Sequence, residues 1–271
     1  MIPSDFQFSQ ANIQDYADCP RRFQLRYLLK LPWPSVEAEP ITEHERNLYL
    51  GTAFHRLVYQ HIMKVPEEDL QKMADDRDLK LWWHNYLTYK PYNISGEIYP
   101  ETVLSCHSGG YYIIGKYDLI ALSGDRAVII DWKTSRKKPA RSFLKDRIQT
   151  RLYSYLFIEG GKHFNNGKHF EPEKIEMIYW FPSFPESPEV FLYNSTEYKK
   201  DKEYLISLIE EINSSEEFRL TGEVKHCLYC SYRSLCDRGI KAGSIDEMED
   251  ETESSEIDIN LDFDHIGEIE F

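Results

Sequence analysis

No stretch of this 271-residue chain stays apolar for more than about five residues; Met177 to Phe181 is one of the longest. A membrane span needs about 20, so the sequence offers none and a membrane partner is not expected. No basic segment followed by an apolar run opens the chain, so we expect no secretory leader and a cytoplasmic location. There is no internal repeat and no G-x-x-x-x-G-K-[ST] loop, so the chain shows no ATP-driven motor of its own. Lys and Arg are missing from Ser244 to Phe271, where 12 Asp and Glu gather. That segment carries most of the formal net charge of −14; residues 1–243 hold 34 acidic and 32 basic side chains. The overall acidity therefore belongs to an appendage and does not exclude a nucleic-acid partner. With 13 Gly, 13 Pro, 41% hydrophobic and 29% charged residues, collagen-like and wholly disordered chains are excluded.

Periodicity predicts helices over residues 9–30, 44–64, 67–88, 140–158 and 196–213, with the Pro-rich stretch 31–40 ending the first. In the second, Phe54, Leu57, Val58 and Ile62 share one face, and the third reads as mostly polar. Strands are predicted over 97–106, 111–121 and 126–132 as a meander, then over 174–181 and 189–193. Strands flanked on both sides by helices define an α/β domain.

The meander carries the chemistry. If Gly124-Asp125 is a two-residue turn with Gly first, as a type II′ turn prefers, antiparallel partners have numbers that sum to 249. Asp118 then stands opposite Asp131, and Lys133 shares their face. Two carboxylates at this spacing suit a hard divalent cation. Such an ion polarises a phosphoryl oxygen and lowers the pKa of bound water. An ammonium beside it can orient the nucleophile or meet developing charge. A salt-bridge ladder across an ordinary hairpin would use the same residues.

The order of four short motifs separates these readings: Gly51-Thr-Ala-Phe-His55, Gly115-Lys-Tyr-Asp118, Asp131-Trp-Lys133 and Gln149-Thr-Arg-Leu-Tyr153. Together they resemble the PD-(D/E)XK nuclease superfamily, in particular its RecB-like branch, across roughly residues 8–238. The resemblance implies a restriction-endonuclease-like core, a central mixed sheet flanked by helices. It implies that His55, Asp118, Asp131 and the Trp132 carbonyl hold Mn2+ or Mg2+, and that Lys133 assists the attacking water. Gln149 and Tyr153 would support the site and position DNA. His55 adds nitrogen to an oxygen-rich set, and imidazole suits transition metals better than magnesium. Manganese is therefore expected to serve at least as well as magnesium.

Between Asp131 and Arg151 stand eight basic residues and two acids. Beside a metal site, Arg136, Lys137, Lys138, Arg141, Lys145, Arg147 and Arg151 are candidate DNA contacts; the plainer reading is a solvated helix face. Of the five cysteines, Cys227, Cys230 and Cys236 form a compact trio, and Cys19 stands 208 positions before Cys227. Four thiolates can hold zinc or an iron–sulfur cluster. The layout, with Tyr16-Ala-Asp-Cys19-Pro-Arg-Arg-Phe23 around the first thiol, resembles AddB-type and CRISPR-associated RecB-like nucleases. In those a [4Fe–4S] cluster ties the chain ends together; zinc is the alternative. Cys106 reads as a buried core residue.

The expected organisation is a nuclease domain over residues 1–243, with a helical insert at about 65–95, and an acidic, disordered tail over 244–271. The tail could add a strand to a partner's sheet, cover the basic face in cis, or only solubilise. Two functional readings follow. One is a metal-dependent DNA nuclease, an exonuclease on single-stranded ends or flaps, in DNA repair, recombination or defence; unwinding of duplex would fall to a helicase or another repair or defence protein. The other is a catalytically silent module of nuclease-like fold that holds DNA or protein.

Overall fold

The structure is a computed structural model and describes residues 2–31, 41–89, 96–228 and 230–239. A six-stranded mixed sheet forms its centre, as the resemblance implies. Strands β2 (Glu97–Ser108) and β3 (Tyr111–Ser123) make a long antiparallel hairpin, and β4 (Arg126–Trp132) follows β3 through a second tight turn. The β3–β4 register runs from Leu119 opposite Ile130 to Ser123 opposite Arg126. These pairs all sum to 249, the register the turn predicted. Gly124 takes φ +61, the left-handed backbone that a turn of this kind asks of glycine. Beyond β4 lie β5 (Ile175–Trp180), parallel to it, and β6 (Glu189–Leu192), antiparallel to β5.

A short strand that periodicity missed, β1 (Gln7–Ser9), pairs parallel with Tyr112–Ile114. Three residues carry too little pattern to register as a strand. Since β2 occupies one edge of β3 along its length, β1 and β4 must share the other edge. β1 covers its start and β4 its end, so residues 115–118 between them face no strand there. The functional motifs converge on this gap.

One face of the sheet is covered by α1 (Gln10–Asp18), α7 (Ile148–Gly160) and α8 (Ser195–Ser214), which enclose Ile13, Tyr16, Leu152, Leu156, Leu205 and Ile209 with Ile113 and Ile129 of the sheet. The other is covered by α3 (Ile41–Ile62), α4 (Glu67–Met73) and α5 (Arg77–Tyr89). Phe54, Leu57 and Val58 of α3 are buried there as their spacing predicted.

Several expected helices are broken. The predicted helix 9–30 stops at Cys19, whose backbone is extended ahead of Pro20; a four-residue helix α2 (Pro20–Phe23) and a π turn follow. The predicted helix 67–88 is two, α4 and α5. The stretch is mostly polar as read, but apolar residues gather on one face, where Trp83 and Tyr86 are fully buried and Trp82 nearly so. The stretch read as an insert therefore builds the second core. The predicted helix 140–158 divides at Arg147 into α6 (Arg141–Asp146) and α7; the side-chain oxygen of Gln14 accepts from the Ile148 amide at 3.1 Å and caps α7. The Pro-rich stretch from 32 to 40 and the acidic tail 244–271 lie outside the described residues.

Candidate active site

At the β3 gap, α3 brings His55 against the sheet. Its Nδ1 lies 3.2 Å from Asp118 Oδ1, and its Nε2 lies 3.0 Å from the Trp132 carbonyl oxygen. Both partners are acceptors, so both ring nitrogens must donate, and the geometry asks for an imidazolium. Burial alone would lower the His55 pKa. Asp118, with further help from Asp131 and Glu101, outweighs it and lifts the pKa to about 9. Asp118 Oδ2 also accepts from the Trp132 amide at 2.8 Å. Burial opposes ionisation of Asp118, but His55, the Trp132 amide and Lys133 hold its carboxyl below the usual range.

The two carboxylates do not stand as a ladder pair. The β3–β4 pairing ends at Leu119 and Ile130, and Asp118 spends its side chain on the strand end instead. Asp131 is held from the other side. Gln149 of α7 donates to its Oδ1 at 2.7 Å, and Lys133 Nζ sits 3.0 Å from its Oδ2. Asp131 and Lys133 are 3% and 7% exposed, whereas the His55 side chain is 31% exposed. The Lys133 amide bonds the Trp180 carbonyl, and its ammonium lies 5.6 Å from the Tyr179 ring centroid.

Packing accounts for the motif glycines. A Cβ on Gly115 would meet Leu156 Cδ2 at 2.8 Å, so the bare backbone lets α7 seat closely without moving that side chain. That approach lets the Tyr153 hydroxyl donate to the Lys116 carbonyl at 2.8 Å, inside the stretch of β3 that lacks a second strand. A Cβ on Gly51 would meet Thr134 Oγ1 at 3.0 Å, where α3 passes the segment after β4.

Sequence reasoning missed Glu101. Its carboxylate joins His55 and Asp118 in a group whose candidate ligand atoms all lie within 4.8 Å of one another. It belongs to none of the four motifs, and only the β2–β3 register, which sets position 101 across from 118, points to it. One imidazole nitrogen and carboxylate oxygens, partly open to solvent, fit a divalent cation such as Mn2+.

The basic run is not one solvated face. Arg147 is 7% exposed and lies 5.5 Å from the Phe143 ring centroid, which corrects its assignment as a surface contact. Lys138 and Arg141 both grip Glu189 of β6, and Arg151 approaches Asp201 of α8 at 3.8 Å. Acids distant in sequence thus neutralise part of the local charge. Arg136, Lys137 and Lys145 remain at the exposed surface.

Cys19, after α1, lies near the cysteine trio. Burial raises the thiol pKa values of Cys227, Cys230 and Cys236, and each is raised further by Cys19. The four thiols, drawn from distant parts of the sequence, are thus near enough to influence one another. Among the described residues no three of these sulfurs lie within 4.8 Å of one another, whereas zinc at about 2.3 Å from each would hold them roughly 3.8 Å apart. Cys106 is half-buried against the core, and burial pushes its thiol up to about 12.

A sheet split at its third strand brings together a carboxylate, an Asp-x-Lys strand end and a helical His, a donor set suited to a divalent cation. The model of the PD-(D/E)XK nuclease superfamily matches residues 7–237, and the chain belongs to that superfamily. A candidate exonuclease from Eubacterium rectale shares the fold, with TM-score 0.50 and 9% identity over 91% of this chain and 93% of that one. The crystal structure of SSO0001 aligns with TM-score 0.42 and 17% identity over 87% and 88% of the two chains. No curated protein matches the chain in sequence. Among the described residues, no helix is long and apolar enough to cross a membrane.

Proposed function

We propose that this chain is a metal-dependent deoxyribonuclease, an exonuclease on single-stranded ends or flaps. The observation that carries this is the meeting of His55, Asp118 and the Trp132 carbonyl beside the buried Asp131–Lys133 pair. His55, Asp118, Asp131 and the Trp132 carbonyl would hold the cation, which supplies Lewis-acid activation of water and of the phosphoryl oxygen. Lys133, pinned between Asp131 and Tyr179, orients the attacking water and meets charge on the phosphate. Gln149 keeps Asp131 turned toward the site, and Tyr153 anchors the unpaired end of β3. Arg136, Lys137 and Lys145 line the approach for the DNA backbone, and the local charge favours an anionic strand.

Cys19, Cys227, Cys230 and Cys236 would hold a [4Fe–4S] cluster that fastens the chain's two ends. The mutual electrostatic influence of the four thiols supports a shared site, and the resemblance to cluster-bearing nucleases favours the cluster over zinc. A role in repair, recombination or defence, with unwinding by a separate helicase, follows from the resemblance to RecB-like nucleases.

The test is cleavage of end-labelled single-stranded and duplex DNA by anaerobically purified protein with Mn2+, Mg2+ or chelator, alongside Asp131→Ala. We expect metal-dependent cutting, Mn2+ at least equal to Mg2+, and no cutting by the variant. Absence of cutting by folded protein that still binds DNA would favour the silent module. Iron and acid-labile sulfide in the same preparation are expected; zinc in their place rejects the cluster.

A further inference from the structure

We propose that Glu101 is a cation ligand of this site, completing with His55 and Asp118 a set that the four motifs do not contain. This rests on the metal-dependent reading above. Ligands about 2.0–2.6 Å from an ion lie at most about 5 Å from one another. The candidate atoms of Glu101, His55 and Asp118 already meet that limit, within 4.8 Å.

The backbone has been bent to bring Glu101 there. On β3, Ile113 and Tyr117 face the α1/α7/α8 core, but so do Ile120 and Leu122; the alternation has slipped by one residue between them. β2 slips with it, since Leu104 and Cys106 face that core and so does Tyr99. The pairing of the two strands keeps one register throughout yet skips a single pair, Glu101 and Asp118. Glu101 sits there at φ +50, a left-handed conformation that residues with a side chain rarely adopt. Facing residues of two paired strands already share a face of the sheet, and the double slip falls at these two acids, where the ladder breaks and both carboxylates come within reach of His55.

The charges agree. Glu101 pairs with Lys116, whose side chain is 42% exposed. A half-exposed ion pair gains little and does not account for a broken ladder with strained backbone. Two carboxylates and an imidazole gathered beside the partly exposed Lys116 ammonium are instead a donor set that a divalent cation can occupy.

Mn2+ titration, read from the EPR signal of free Mn2+, tests this on the full-length protein, with Glu101→Gln and Asp118→Asn. We expect both variants to weaken binding by about tenfold or more. Weakening by Asp118→Asn with wild-type affinity in Glu101→Gln overturns the role of Glu101 and leaves the metal site standing. Failure of the folded wild-type protein to bind Mn2+ overturns both. If Glu101→Gln does not fold, Glu101→Asp keeps the charge facing Lys116 and only shortens its reach. It is expected to bind several-fold more weakly, and wild-type affinity there overturns the proposal as well.

Discussion

The two carboxylates of the site live in different surroundings. Asp118 faces His55 and Glu101 on the open side, where the partners are partly solvated and a proton holds the acceptors together. Asp131 lies on the closed side, gripped by Lys133 and Gln149 and almost out of solvent. The open side can exchange its positive charge for another. On the closed side, removal of one partner leaves a buried charge that water cannot reach. Exchangeable and tightly held charge are thus divided between two strands only one hairpin apart.

The largest expected effect comes from breaking the closed side. Lys133→Ala strands Asp131 and should cost about 3–5 kcal/mol of stability in urea unfolding, in addition to abolishing cleavage. Lys133→Met with Asp131→Leu should recover most of the stability and none of the cleavage. Recovery of cleavage would show that the pair serves the fold alone. A smaller loss is expected from Gln149→Leu, which removes one hydrogen bond to a charged oxygen. It should cost about 1.5–3 kcal/mol and slow single-turnover cleavage by about ten- to a hundredfold; an unchanged rate would remove Gln149 from the site.

The smallest effect probes the open side. The His55 pKa is raised to about 9 in the metal-free protein. Its protonation therefore stabilises that state fully below the ordinary value near 6.5, and the stabilisation is lost as pH rises through about 9. A cation must displace that proton, so apparent Mn2+ affinity should rise about tenfold from pH 7 to pH 8. Affinity independent of pH over that interval would mean that His55 is not a ligand.

Part of this site could be read directly. A two-residue turn leaves only one register, so the alignment of β3 with β4 followed from Gly124-Asp125, and the apolar face of α3 followed from its spacing. The same register idea overreached at Asp118, because pairing ends one residue earlier and the side chain turns to the Trp132 amide. Glu101 escaped because a slip in alternation on two strands leaves no trace in a count of polar and apolar residues. The basic run misled for a related reason: Glu189 and Asp201, which neutralise part of it, arrive from β6 and α8.

By itself the sequence determined the local decisions: turn position, helix faces, the order of the motifs and the breaks that Pro20 imposes. These depend on residues within a few positions of one another, where sterics and periodicity act. Only the tertiary structure decided the long-range ones. It set β1 and β4 on one edge of β3, opened the gap between them, and chose which charges meet there. It also brought Cys19 beside a trio more than 200 residues away. Such choices depend on which surfaces bury each other and which buried charges find partners, and neither is a property of neighbouring residues.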